Sequence, residues 1–184
     1  MNLVAIAMVL ISVSGIAYFI ISKENSHCAA IDVTIRLLTA VKNKALLYDK
    51  PFADILYELE NDAENKKIPL LKKFCDCIDD GKEIPEAWDD AVLCMNGLLD
   101  SYECQILTRY GAEMCRCNKE EIAEISASVI DELTQCRINA VQKKNSQSKS
   151  VAAITVSSGI IFVLMMLIPG LVDLFSYIKS VFDL

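Results

Sequence analysis

The sequence predicts an all-α membrane protein, in which two transmembrane helices flank a cytoplasmic antiparallel bundle of about six helices. Residues 3–22 and 151–168 contain no charged side chain. At ~1.5 Å rise per residue, either run could cover most of a ~30 Å hydrocarbon layer as a helix. Between them, apolar residues recur at steps of three and four, and no window shows a convincing two-residue alternation. We therefore predict a transmembrane helix over 1–22, a cytoplasmic helical domain over 23–150, a second transmembrane helix over 151–168 and a short amphipathic tail helix over 169–184.

The short segments beside the two apolar runs predict the orientation. The N-terminus has no basic residues ahead of its apolar run, unlike a secretory signal peptide, so we expect this segment to be retained. Lys23 follows the first run, and Arg137, Lys143, Lys144 and Lys149 precede the second. Since basic residues stay on the cytoplasmic side, we expect a multi-pass protein of the cell membrane with both termini outside. The same lysines suit anionic lipid headgroups.

Start and stop signals delimit the helices of the domain. The first continues from the membrane segment with an apolar stripe made by Ile31, Ile35, Leu38, Val41, Ala45 and Leu46. Pro51, Pro69 and Pro85 open the second, third and fourth helices, because proline is tolerated in the first helical turn. Gly81 and Gly97 lie in the usual stop position after the third and fourth helices.

A fifth helix is predicted over 98–113 and a long sixth helix from Asn118. The apolar face of the sixth consists of Ile122, Ile125, Val129, Leu133, Cys136 and Ala140. Pro169-Gly170 is predicted to end this helix, because an internal proline removes a backbone hydrogen bond. The amphipathic tail that follows is expected to lie on the membrane surface or on a partner.

Charge and motifs exclude several classes of function. The net charge is −7, and residues 51–135 hold twenty Asp and Glu against eight Lys and Arg. Nucleic acid is a poor partner for such a surface, since binding it requires neutralised phosphates. The chain has no phosphate-binding glycine loop, no nucleophile elbow and no H-E-x-x-H motif. The single histidine, His27, does not by itself support a histidine-based site. We predict a non-enzyme without catalytic residues, cofactor, metal site or small-molecule substrate.

The eight cysteines leave an alternative open. A membrane-tethered metal or redox sensor would use Cys75, Cys77, Cys94, Cys104, Cys115, Cys117 and Cys136. Both C-x-C pairs fall on or near predicted helices, where residues i and i+2 point apart, which favours small buried cysteines instead. Trp88 has a similar choice between a core position, which its helical spacing with Val92 and Met95 favours, and an interface anchor.

Three stretches resemble the stage III sporulation protein AB family. They are the helix junction at Tyr48-Asp49-Lys50-Pro51, the segment Pro85-Glu86-Ala87-Trp88, and residues 107–118, which contain Tyr110-Gly111 and end at Asn118. The resemblance extends to about residue 168. It implies that Tyr48, Pro51, Trp88, Tyr110, Gly111 and Asn118 are positions important for folding or partner docking. Asn118 stands where the family has Asp, and can still cap the long helix.

The family in turn resembles the cytoplasmic domain of type II secretion F platform proteins. The resemblance implies a scaffold in the mother-cell membrane facing the forespore, as part of a sporulation channel complex. The implied partners are the other channel subunits and a cytoplasmic secretion-type ATPase, stage III sporulation protein AA.

Overall fold

The computed structural model describes the backbone of residues 2–47, 50–62, 65, 68–114, 117 and 119–182. Side chains are described between residues 11 and 159 of these ranges, apart from positions 13, 119, 120, 152, 155 and 156. The helices are α1 Asn2–Leu47, α2 Phe52–Asn61, α3 Pro69–Asp79, α4 Ile84–Leu93, α5 Ser101–Met114 and α6 Lys119–Phe182. Over these ranges no β-strand occurs, although an isolated β-bridge joins Asn96 and Leu99. The predicted all-α class is confirmed.

The chain divides into two compact units. One consists of Met1–Ser22 together with Lys143–Leu184, and the other, which we call the helical domain, is Lys23–Gln142. The predicted cytoplasmic domain, 23–150, begins at the same residue and includes this unit, and its bounds stay a prediction. Within the part of the chain that the structure describes, no helix is long and apolar enough to cross a membrane. Much of both predicted transmembrane segments has side chains outside the described residues, so the two spans stay predictions.

The predicted end of the last helix at Pro169-Gly170 is wrong. Helix α6 continues through both residues to Phe182. A proline inside a helix removes one N–H donor and crowds the preceding turn, but it can kink the helix rather than end it. The long runs of helix on both sides supply the remaining backbone hydrogen bonds. A separate tail helix is therefore absent from the described backbone.

One contiguous apolar core fills the helical domain. Of the predicted α1 stripe, Ile31, Leu38, Val41 and Ala45 are at most 1% exposed. The prediction for Leu46 is wrong, because it is 53% exposed close to the end of its helix. In α6 the predicted face also turns inward, with Ile122, Val129, Leu133 and Ala140 buried and Ile125 and Cys136 partly buried.

The end of α3 shows how sequence sets a helix boundary. Gly81 has φ +84°, a left-handed conformation that a side chain disfavours. Its N–H donates to the Ile78 carbonyl at 2.9 Å, and the Lys82 N–H donates to the Cys77 carbonyl at 3.1 Å. These two bonds form a Schellman motif, which satisfies carbonyls left without partners at the end of a helix. The predicted glycine stop is confirmed here.

Candidate functional site: an aromatic core and its polar links

Four aromatic rings, one from each of α2, α3, α4 and α5, meet at the centre of the helical domain. The Trp88 ring centroid lies 5.4 Å from that of Phe52, 6.0 Å from that of Phe74 and 5.7 Å from that of Tyr110. Trp88 is 1% exposed. The planes are tilted or edge-on, an arrangement that aromatic quadrupoles favour. The aromatic cluster thus fixes the positions of four short helices relative to one another.

Gly111 lets α5 approach the indole of Trp88 closely. A Cβ atom at position 111 would lie 1.9 Å from Trp88 Cδ1 and 2.4 Å from Nε1. The indole N–H donates to the carbonyl of Leu107, one turn earlier on α5, at 2.7 Å. The ring is therefore held against the glycine by a buried hydrogen bond. Only a residue without a side chain fits at this position without displacing the indole.

Tyr110 connects the aromatic cluster to α6. Its hydroxyl lies 3.0 Å from the hydroxyl of Ser126, and both residues are fully buried. Burial raises the pKa of Tyr110, because the phenolate would lose its hydration. The phenol therefore stays neutral and its hydrogen bond is retained across the physiological pH range. A buried hydroxyl pair of this kind fixes the rotation of α6 against α5.

The structure brings together three of the six positions suggested by the family resemblance. Trp88, Tyr110 and Gly111 lie side by side in the core. Pro51 is exposed and immediately precedes α2, where its carbonyl accepts from the N–H of Ile55 at 3.2 Å. It therefore stands one residue before the predicted position. Tyr48 and Asn118 lie outside the described residues.

The basic residues predicted beside the membrane have different surroundings. Lys23 is an exposed residue of the helical domain. Lys143, Lys144 and Lys149 belong to the other compact unit, where Lys143 and Lys149 are exposed and Lys144 is half-buried. Arg137 forms an ion pair with Asp32, which links α6 to α1. Its Nη2 donates to Asp32 Oδ2 at 3.3 Å, and this partner raises the pKa of the guanidinium. Arg137 therefore contributes a contact within the domain.

A polar cluster that sequence reasoning missed joins α1 to the start of α5. His27 Nε2 lies 2.8 Å from Oε2 and 3.1 Å from Oε1 of Glu103, and 3.8 Å from Oδ2 of Asp100. The Asp100 N–H also donates to Glu103 Oε2 at 2.8 Å. Glu103 is only 3% exposed. His27 and Glu103 are 76 residues apart in the chain, and no spacing in the sequence indicates their pairing.

The cysteines do not form a site in the described part of the chain. Cys28, Cys75 and Cys77 are buried, Cys94 is exposed, and Cys104, Cys117 and Cys136 are half-buried, all as free thiols. Cys115 lies outside the described residues. Among the residues that the structure describes, no three thiols lie close enough together to bind one metal ion. The single group of potential ligands found there consists of His27, Asp100 and Glu103. Burial raises the pKa of the Cys75 thiol to about 11, which disfavours the reactive thiolate. The metal or redox sensor is therefore not favoured.

The protein is thus a helical bundle in which Trp88, Tyr110 and Gly111 pack the short helices against one another. The sequence model of the family described as stage III sporulation protein AB matches residues 2–167. The chain belongs to this family of sporulation proteins. No curated protein matches it.

A solved structure supports the fold. Its title is "Stage III sporulation protein AB (SpoIIIAB)", and it is similar to this chain with a TM-score of 0.52 and 15% sequence identity. The similarity covers 66% of this chain and 98% of the other. The helical fold is therefore shared by two sequences that have diverged widely.

Proposed function

We propose that this protein is a non-catalytic platform subunit of a sporulation channel complex, which holds a cytoplasmic secretion-type ATPase at the mother-cell membrane. Membership of the stage III sporulation protein AB family is the observation that carries the proposal. The partner is stage III sporulation protein AA, together with the other channel subunits. The two uncharged segments, 3–22 and 151–168, anchor the helical domain in the membrane as transmembrane helices.

The burial of the aromatic cluster supports a surface role for the domain. Trp88 and Tyr110 are at most 1% exposed, so they are not available to a partner. The hairpin of α3 and α4 instead carries an acidic surface. We call its exposed residues Asp76, Asp80, Glu83, Glu86 and Asp89 the acidic face, and they outnumber the exposed Lys72, Lys73 and Lys82 of the same hairpin. An excess of negative charge favours encounter with a basic surface and selects against acidic ones. We assign ATPase docking to this acidic face.

Charge reversal on the acidic face tests the docking. The triple variant Asp76→Lys, Asp80→Lys, Asp89→Lys places two of its lysines in the last turn and C-cap of α3, where cations suit the helix dipole. Binding of the ATPase to the full chain in detergent would be measured by surface plasmon resonance at several salt concentrations. We expect association to slow by at least about tenfold, with weaker salt dependence than for the unmodified chain.

The matched control is the variant Glu113→Lys, Glu124→Lys, Asp131→Lys, which makes the same change in net charge at exposed positions of α5 and α6. It should bind the ATPase at nearly the unmodified rate. Equal loss in the two variants would refute the acidic face and leave only a dependence on net charge. Absence of any ATPase binding by the unmodified chain would refute the platform proposal itself.

The membrane part of the proposal has its own test. Reporter fusions at the two termini and within the helical domain should place both termini outside and the domain inside the cell. Replacing Lys143, Lys144 and Lys149 with Glu removes the basic cluster beside the second span, and should invert or mix this orientation. Cytoplasmic termini in the unmodified protein would refute the assigned topology.

A further inference from the structure

We propose that His27, Asp100 and Glu103 form a binding site for a divalent transition-metal ion, with Zn²⁺ the best fit, which joins α1 to the start of α5. One potential ligand atom from each residue lies within 4.8 Å of the other two. The site lies entirely within the helical domain. It involves none of the acidic residues assigned to ATPase docking, so it does not depend on the proposed function.

The distances suit a tetrahedral ion after small side-chain adjustments. Bonds of about 2.0–2.1 Å to His and carboxylate ligands place neighbouring ligand atoms about 3.4 Å apart. The observed separations from His27 Nε2 are 2.8 Å to Glu103 Oε2 and 3.8 Å to Asp100 Oδ2. Each differs from the tetrahedral value by about half an ångström. Rotation about side-chain bonds can supply this change without moving a helix.

The surroundings meet the other requirements of a metal site. The side chains of His27 and Glu103 are 12% and 4% exposed, whereas Asp100 is 68% exposed and gives the ion access from solvent. Water from the solvent side would complete the coordination as a fourth ligand. Two carboxylates around one imidazole attract a cation, and their mixed nitrogen and oxygen atoms favour zinc over magnesium. The Asp100 N–H donates to Glu103 Oε2 at 2.8 Å and so helps to orient this carboxylate, as an outer-shell contact does.

The same contacts without a metal constitute a hydrogen bond between helices, and Asp100 distinguishes the two roles. Its carboxylate is exposed and stands 3.8 Å from the imidazole, too far for a hydrogen bond. Removing its charge should therefore have little effect on the protein without metal. In a metal site Asp100 is a direct ligand, and the same change should weaken ion binding strongly.

The experiment measures Zn²⁺ binding by the full chain, purified in detergent and stripped of metal with a chelator. Calorimetric titration in millimolar Mg²⁺ should show one Zn²⁺ per chain. Asp100→Asn should weaken that affinity by at least about tenfold, the lower bound set by the loss of an outer-shell contact. Its unfolding midpoint without metal should equal that of the unmodified chain. The control Asp89→Asn changes an exposed aspartate on α4 and should bind Zn²⁺ normally.

Two further measurements identify the ligands. Co²⁺ in place of Zn²⁺ should give visible bands of a tetrahedral site without a sulfur-to-cobalt charge-transfer band. Glu103→Gln keeps an acceptor for the Asp100 N–H, so it should preserve the helix start while weakening metal binding. The site is refuted by absence of saturable Zn²⁺ binding, by equal affinity in Asp100→Asn and Asp89→Asn, or by a charge-transfer band from cysteine.

Discussion

Replacing Gly111 with alanine is the smallest change that should disrupt the aromatic cluster. The new methyl group would lie 1.9 Å from Cδ1, 2.4 Å from Nε1 and 2.5 Å from Cγ of Trp88. An ordinary contact needs about 3.4 Å, so the indole or α5 must move by about 1.5 Å. The indole cannot move away easily, because Phe52, Phe74 and Tyr110 pack around it.

The expected loss of stability combines three effects. Overpacking of a buried site costs about 1–3 kcal/mol. Displacement of the indole breaks its 2.7 Å hydrogen bond to the Leu107 carbonyl. A buried donor left without a partner costs about 1–3 kcal/mol more. The higher helix propensity of alanine returns about 1 kcal/mol. We therefore expect Gly111→Ala to lower the free energy of unfolding by about 3 kcal/mol.

The assay is urea unfolding of the full chain followed by helical circular dichroism. A double-mutant cycle with Trp88→Ala isolates the contact. The tryptophan change alone should cost about 3–5 kcal/mol, as truncation of a large core aromatic does. In that background Gly111→Ala should become neutral or stabilise by up to about 1 kcal/mol, because the clash is gone and the propensity gain remains. A cost below about 0.5 kcal/mol in the unmodified background, or an equal cost in both, would refute the close approach.

Two other predictions concern buried polar groups. Tyr110→Phe should cost about 1–3 kcal/mol in the same assay, because the Ser126 hydroxyl is left unpaired, and adding Ser126→Ala should recover most of the loss. If Ser126→Ala recovered none of the stability lost in Tyr110→Phe, this role of the hydroxyl pair would be contradicted. Burial raises the pKa of Cys75 from 9.0 to about 11, so its stabilising effect should be present below pH 9 and disappear as the pH rises to 11. Cys75→Ala should reduce this alkaline loss of stability, and an unchanged pH profile would contradict it.

Local signals account for the parts of the fold that the sequence predicted well. Pro69 begins α3, and Gly81 ends it with a left-handed residue, because both positions depend on backbone chemistry within one turn. Periodicity also located the buried faces of α1 and α6. It was wrong for Leu46, where the apolar spacing continues close to the helix end and the side chain faces solvent.

Contacts between distant residues account for what the sequence did not predict. The family resemblance points to Gly111 as an important position. It does not show that Gly111 lies against the indole of Trp88, because that contact depends on how α4 packs on α5. The sequence presents His27 as an isolated histidine, whereas the fold brings it beside Glu103, which is 76 positions away in the chain. A hydrogen bond of this kind has no periodic pattern, because each partner lies on a different helix. Pairs of side chains that lie this far apart in the sequence can be identified only from the packed arrangement of the helices.

Trp88, Tyr110 and Gly111 are buried, so substitutions there should lower the stability of the domain without changing its recognition of the ATPase. A domain typically unfolds with a free energy of about 5–15 kcal/mol, so a loss of about 3 kcal/mol leaves at least about 2 kcal/mol. That corresponds to about 97% folded molecules, since 1.4 kcal/mol is a factor of ten. Gly111→Ala should therefore bind the ATPase almost normally despite its lower stability, whereas the charge reversal on α3 and α4 should bind poorly with its fold intact. If Gly111→Ala abolished binding while remaining folded, the cluster around Trp88 would itself have to take part in docking.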